Sequence, residues 1–302
     1  MSAVATTAAA APAVAARPGG TLWSDAWRRL KRNRMAVASG MLLLATSLVC
    51  AFAPWLPFLP DPNATDFALG VTGPSWAHPL GSDLLGRDML ARTIYGGRIS
   101  LLVGLIGTLV SILIGVSYGA VSAYAGGKTD EFMMRVVDVL YSLPYIFLVI
   151  LLLVFFSKSL LMLFVALGAV QWLTMARIVR GQVLSLKNQT FVEAARALGA
   201  DDGRIIFGHI VPNTLGPVIV YSTLTIPAII LQEAFLSFLG LGVQPPDASW
   251  GVLVSEGAQM IGFFPWLTIF PGLALAMTLF AFNFLGDGLR DALDPHDRKV
   301  AA

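Results

Sequence analysis

Six stretches of this chain carry no Asp, Glu, Lys or Arg: residues 35–60, 99–127, 139–157, 159–176, 205–232 and 257–286. About 18 to 20 such residues cross roughly 30 Å of hydrocarbon as a helix. A helix also satisfies its own backbone hydrogen bonds, which lipid cannot do for it. The pattern predicts an all-α membrane protein with six transmembrane helices, the fourth being the least secure because its run is shortest. Only 13% of the 302 residues are charged, against about 25% in soluble domains.

The charges that exist are segregated. With the N-terminus inside and six crossings, 16 of the 20 Lys and Arg fall in inside segments, and only Arg87, Arg92, Arg98 and Lys158 fall outside. This bias predicts that both termini are cytoplasmic. A net charge of +2 gives no footing for a nucleic-acid partner. The lone Cys50 excludes an intrachain disulfide and reads as a small buried hydrophobe. Arg28 to Arg34 followed by an apolar run imitates a signal peptide. That run is longer than the usual ~7 to 15 residues and starts more than thirty residues in, so it reads as an uncleaved first span.

These boundaries divide the chain into a tail and interfacial helix (1–34), a first span (35–60), an extracytoplasmic loop (61–98), a five-helix core (99–286) and a C-terminal tail (287–302). Residues 1–20 are Ala-rich with one charge and read as a disordered tail. Leu22, Trp23, Ala26, Trp27 and Leu30 recur at helical spacing among cations, which suits a membrane-surface anchor or a packing element equally. The outer segment His78-Pro79-Leu80-Gly81-Ser82-Asp83-Leu84-Leu85-Gly86-Arg87-Asp88 predicts a structured loop ending in a short helix, with Asp83, Arg87 and Asp88 pairing locally. Gly126-Gly127-Lys128-Thr129 ends like a phosphate-binding loop, but Ser122 stands where that motif needs Gly, and no strand precedes it.

Residues 190–213 interrupt the apolar pattern with a polar, Gly-broken helical pair. Thr190 and Glu193 have the spacing of a capping box. Ala194, Ala195 and Ala197 offer a small-residue face, and Gly199 stands where a left-handed cap stops the helix. Asp201 or Asp202 can cap a second helix that turns Ile205, Ile206 and Ile210 inward. Pro212 ends that register or opens the next span. An ordinary amphipathic hairpin accounts for each residue singly. Glu233, an acid inside the fifth run, is costly in lipid and reads as a candidate pathway or gate residue, or as a carboxylate paired within the protein. Trp250, after Pro245-Pro246, is a packing residue or a contact for a binding protein. His78, His209 and His296 have no ligand spacing, so no metal is expected, and no activated Ser or Cys constellation is present.

The whole set resembles the permeases of ABC importers. Glu193-Ala194-Ala195, then Gly199, then Pro212 match the signature of their cytoplasmic coupling loop, with His209 and Val211 departing from its general form and agreeing with the peptide-permease ending. Leu80 to Asp88 (Ser82 for the usual Thr), Glu233 to Gly242 and Leu285 to Pro295 are similar to further peptide-permease motifs. Leu22 to Arg29 and Ala176 to Gln182 are most like the C-type subunit of oligopeptide importers. The resemblance implies a type I ABC-importer permease fold in a bacterial inner membrane. It implies a coupling helix carrying Glu193, Ala194, Ala195, Gly199, Ile210 and Pro212. It implies a B-type permease, two ABC ATPase subunits, an extracytoplasmic peptide-binding protein and a peptide substrate as partners, in contact with membrane lipid. ATP and Mg would be bound by those ATPases, with no cofactor on this chain, which is then no enzyme. Dipeptides, glutathione or nickel chelates are alternative cargoes. A membrane sensor or scaffold with a permease-like fold is the rival from another class; an intramembrane enzyme lacks its catalytic residues.

Overall fold

The computed structural model describes residues 22–156 and 159–293. The Ala-rich tail, Lys158 and the end of the last motif from Asp294, with His296, lie outside the described residues. Helix α1 (Leu22–Arg32) is followed at once by α2 (Arg34–Ala51), Asn33 capping the latter by accepting from Ala36 N–H at 3.2 Å. Ala26 is buried while Trp27 is 57% exposed, so α1 both packs and presents an aromatic at its surface. The first span stops well before residue 60, because Pro54 lies in a short 3-10 turn (Ala53–Trp55) and Pro57 and Pro60 follow. Its 18 residues reach about 27 Å at ~1.5 Å each.

Helix α3 (Met89–Ala125) starts ten residues ahead of the uncharged run, and the expected short helix at the end of the outer loop is simply its first turns. Two local facts explain this. Asp88 caps it, accepting from Ala91 N–H at 2.8 Å, and Arg92 is neutralised inside the protein by Glu256 at 3.4 Å and Asp83 at 3.6 Å. The loop before it is ordered by its own groups: Ser82 donates to Gly70 O at 2.8 Å, and Asp83 receives Arg87 Nε at 2.6 Å. Gly81, at φ +78, leaves no room for a side chain, since a Cβ there would sit 2.6 Å from Thr72 O.

The third expected span is a broken pair, α4 (Gly127–Ser142) and α5 (Tyr145–Phe156), bent by 88°. Pro144 supplies the break: it has no N–H, and it forces Leu143 into extended backbone (φ −79, ψ 138). The fourth, expected to be weakest, is instead an unbroken helix, α6 (Leu160–Leu186). It continues through Arg177 and Arg180 because Asp138 and Asp130 meet them at 2.7 and 2.6 Å. Helices α7 (Thr190–Ala197), α8 (Asp202–Phe238), α9 (Trp250–Ala258) and α10 (Trp266–Leu293) complete the described chain. Among the described residues five helices are long and apolar enough to cross a membrane, or six if the bent pair is counted as one span.

Small residues bring α3 and α6 together. A Cβ on Gly168 would lie 2.7 Å from Gly107 O, and one on Gly115 would lie 2.6 Å from Met175 Cβ, so the backbones meet with almost nothing between them. Around this seam lie two apolar clusters. One joins Val103, Val149, Leu163, Leu167 and Ile229; the other, at the basic end, joins Ala120, Val179, Val183, Val192, Ile205 and Ile210. Leu102, Leu105, Leu109 and Leu113 face outward on α3, as a lipid-facing or subunit-facing surface requires.

Candidate functional site

Residues 190–213 form a hairpin whose core is sealed and whose tip is bare. Val192 and Ala195 turn into the basic-end cluster, together with Ile205, Ile206 and Ile210 from α8. Glu193, Ala194, Ala197, Leu198 and Gly199 remain exposed, Leu198 at 89%. The small-residue face is therefore split: Ala195 packs inside and only Ala194 and Ala197 are left for a partner. The capping box is absent. Gln189 in extended backbone (φ −84, ψ 153) is the cap, and neither the Thr190 hydroxyl nor the Glu193 carboxylate makes a capping bond, because helix α7 begins one residue earlier than that motif needs.

The other end of α7 is built as the spacing predicts. Gly199 takes φ +82, its N–H donates to Arg196 O at 3.0 Å, and Ala200 N–H donates to Ala195 O at 3.1 Å. These are the two bonds of a Schellman cap. Asp201 then caps α8 by accepting from Arg204 N–H at 3.2 Å. Pro212 does not break α8. Its missing N–H coincides with a π-helical turn over Ile205–Ile210, where Val211 N–H reaches back five residues to Ile206 O. Asn213 Nδ2 donates to the His209 carbonyl at 2.6 Å, satisfying a group that the widened turn loosens.

The hairpin is held to the spans by groups that sequence reasoning missed. Tyr124, in the last turn of α3, donates to Asp202 at 2.8 Å and accepts from Arg196 at 3.2 Å, so one phenol joins both arms. Lys187, at the end of α6, donates to Ala123 O at 2.8 Å. Asp130 receives both Arg180 Nε and Nη2, at 2.7 and 2.6 Å, and the Ser122 hydroxyl at 2.6 Å, which locks α3, α4 and α6 together. Partners 50 residues apart leave no local pattern; the one signal was charge at the margin of an apolar run.

At the opposite end, Glu233 is fully buried. Its Oε1 accepts from Ser237 and Ser249 hydroxyls at 2.8 and 2.7 Å, while Oε2 has no partner among the described residues. Ser249 also caps α9, accepting from Val252 N–H at 3.1 Å, so the carboxylate anchors the short helix to the end of α8. Trp250 is 1% exposed: its indole N–H donates to Thr93 O at 2.8 Å and its backbone N–H to Ser100 Oγ at 3.0 Å. That position is interior packing within this chain, and the nearby exposed residues are those of 244–247. Cys50 is buried beside the same indole, within reach of a Cβ placed on Gly97. Among the described residues no three His, Cys, Asp or Glu gather as a metal site.

Known proteins share both the sequence and this architecture. The family described as binding-protein-dependent transport system inner membrane component matches residues 89–299, and the N-terminal TM domain of oligopeptide transport permease C matches residues 21–70. The oligopeptide transport system permease protein OppC of Haemophilus influenzae is 52% identical over 93% of this chain and 90% of its own. The dipeptide transport system permease protein DppC of Bacillus subtilis is 47% identical, covering 94% and 88%. The glutathione transport system permease protein GsiD of Pectobacterium atrosepticum is 40% identical, covering 91% of each. In three dimensions, a chain of the MetNI methionine ABC transporter, solved in inward facing conformations, aligns with TM-score 0.56 at 19% identity, over 68% of this chain and 98% of that one.

Proposed function

This chain belongs to the family of binding-protein-dependent transport system inner membrane components, and from that premise we propose that it is the C-type permease of an ATP-driven oligopeptide importer. It forms half of the translocation pathway beside a B-type permease. Two ATPase subunits, which bind the ATP and Mg, dock on the cytoplasmic hairpin, and an extracytoplasmic binding protein delivers peptide. The chain itself hydrolyses nothing. Both termini lie in the cytoplasm, on the side where the basic residues gather.

The observation that carries the coupling role is the hairpin's attachment. Glu193, Ala194 and Gly199 lie on a bare tip, Ile210 and Ala195 are in its core, Pro212 sits behind it, and Tyr124 and Lys187 clamp its base. A body so tied moves as one piece, so displacement at the tip reaches α3, α6 and α8 instead of being absorbed. Glu233 serves as an anchor for α9 at the outer gate, and Trp250 as the packing that holds the binding-protein-facing loop in front of it.

The test is ATP-dependent uptake of a labelled tetrapeptide by the five-component assembly in proteoliposomes, with Gly199→Val and Gly199→Asn forms beside the native chain. A β-branched residue resists the left-handed backbone and Asn tolerates it. Uptake lost in the Val form and kept in the Asn form, with the complex intact, is the expected result. Equal uptake by all three removes the coupling argument. Native ATPase cycling without tetrapeptide uptake moves the cargo to a dipeptide or glutathione, as the names of the relatives at 47% and 40% identity suggest.

A further inference from the structure

Where α4 ends, four carbonyls lose their helical partners. The Ser142 hydroxyl meets Val139 O at 2.7 Å and Leu143 N–H meets Leu140 O at 3.3 Å. The carbonyls of Tyr141 and Ser142 accept nothing from the described residues. Irregular backbone within a span is tolerated where it lines a polar cavity. A half-open cleft of about 450 Å³ lies against this break, bounded by α6 and α8. Its volume is within the roughly 300 to 1,000 Å³ of small-ligand sites.

The lining mixes apolar side chains with polar ones and, among the described residues, contains no Asp, Glu, Lys or Arg. Tyr141, Ser142 and Tyr145 come from the break, Gln171 and Thr174 from α6, and Gln232 from α8. Gln171 lies near the middle of its helix, 11 residues from the start, or about 17 Å along the axis. Its amide makes no hydrogen bond among the described residues, and the Gln232 carbonyl oxygen is enclosed without a donor. Arg177, a cation beside the lining, stacks on Tyr141 at 4.2 Å and is already matched by Asp138.

We propose that this cleft holds the main chain of the transported peptide, an inference that rests on the importer reading above. A glutamine amide offers both a donor and an acceptor, the complement of one peptide unit. Two of them, with freed carbonyls beside them, pair with N–H and C=O groups and ignore side chains. A site without net charge also leaves an acidic or basic peptide free to depart. The chemistry recognised is the secondary amide.

The experiment uses the reconstituted assembly with tetra-alanine and with tetra-alanine N-methylated at one internal amide. The binding protein's own preference between them is common to every assembly and cancels in the comparison. In Gln171→Leu and Gln232→Leu chains the KM for tetra-alanine rises about tenfold and the native preference for the unmethylated peptide falls several-fold. Gln171→Asn keeps part of the preference. An unaltered KM and preference in both Leu forms overturns the site, while absence of native tetra-alanine uptake overturns the importer reading beneath it. Should the Leu forms fail to assemble, Ser142→Cys in the otherwise native chain answers the question, since the sole native cysteine is buried. Peptide-loaded turnover slows thiol labelling at position 142 several-fold. Labelling unaffected by peptide, or blocked in the resting assembly by a neighbouring helix, overturns the proposal.

Discussion

At Asp130 a single carboxylate serves three helices, and its replacement separates charge from packing. Asp130→Asn keeps the shape and the Ser122 contact but strips Arg180 of its counter-ion. A hydrogen bond to a charged partner contributes about 1.5 to 3 kcal/mol, and the low end applies because the Arg180 side chain stays 35% exposed. The expected result is a lower thermal midpoint of the purified chain in detergent, largely recovered when Asp130→Arg is combined with Arg180→Asp. A midpoint unmoved by Asp130→Asn would remove the clamp from the account. Gly199 responds differently. A Cβ there meets nothing within 4 Å, so Gly199→Ala is opposed only by its φ of +82. The backbone alone costs about 1 to 2 kcal/mol, and hydrogen exchange at Ala200, whose N–H closes the cap, should quicken accordingly. Gly199 was legible in the sequence because left-handed backbone selects glycine wherever it occurs. Asp130 and Arg180 were not, because their pairing depends on how three spans are arranged.

Among the elements, Pro212 and the wide turn before it define how the hairpin is phased on α8. Pro212→Ala restores an N–H, lets the Gly208 carbonyl be met, and permits ordinary α register. Drawing the wide turn back to that register rotates the hairpin by about 100° relative to the span, the step of one residue in a helix of 3.6 per turn. Peptide uptake should then fall much further than ATPase activity, with the assembly intact; a parallel loss of both would argue for simple misfolding. The α3–α6 seam makes a second case: Gly168→Ala forces a Cβ to 2.6 Å from Val110 Cβ, and such overpacking costs about 1 to 3 kcal/mol, read as a lower thermal midpoint. Helix count was legible because lipid imposes a length. Helix ends were less so: Arg177 and Arg180 ended an uncharged run without ending the helix, since each is neutralised by a distant acid. Pro144 broke a helix inside an unbroken run.

For the whole molecule, orientation is the claim most open to direct test. Trp76 is fully exposed and Leu198 is 89% exposed at opposite ends, and Cys50 is buried. In sealed inner-membrane vesicles of cytoplasmic-side-out polarity, an impermeant thiol reagent should label Leu198→Cys at once and Trp76→Cys only after permeabilisation. The reverse pattern would invert the topology. The broken third span also bears on how the chain enters its membrane. Helix α5 has 12 residues, about 18 Å, too short to sit alone in roughly 30 Å of hydrocarbon. Two of the acids of α4, Asp138 and Asp130, are neutralised by arginines synthesised 39 and 50 residues later. At about 5 to 20 residues per second, Asp130 waits several seconds for Arg180 to leave the ribosome. The ion pairs that fix the bent pair therefore close only once α6 has been made, so α4 and α5 are synthesised before the contacts that hold them exist.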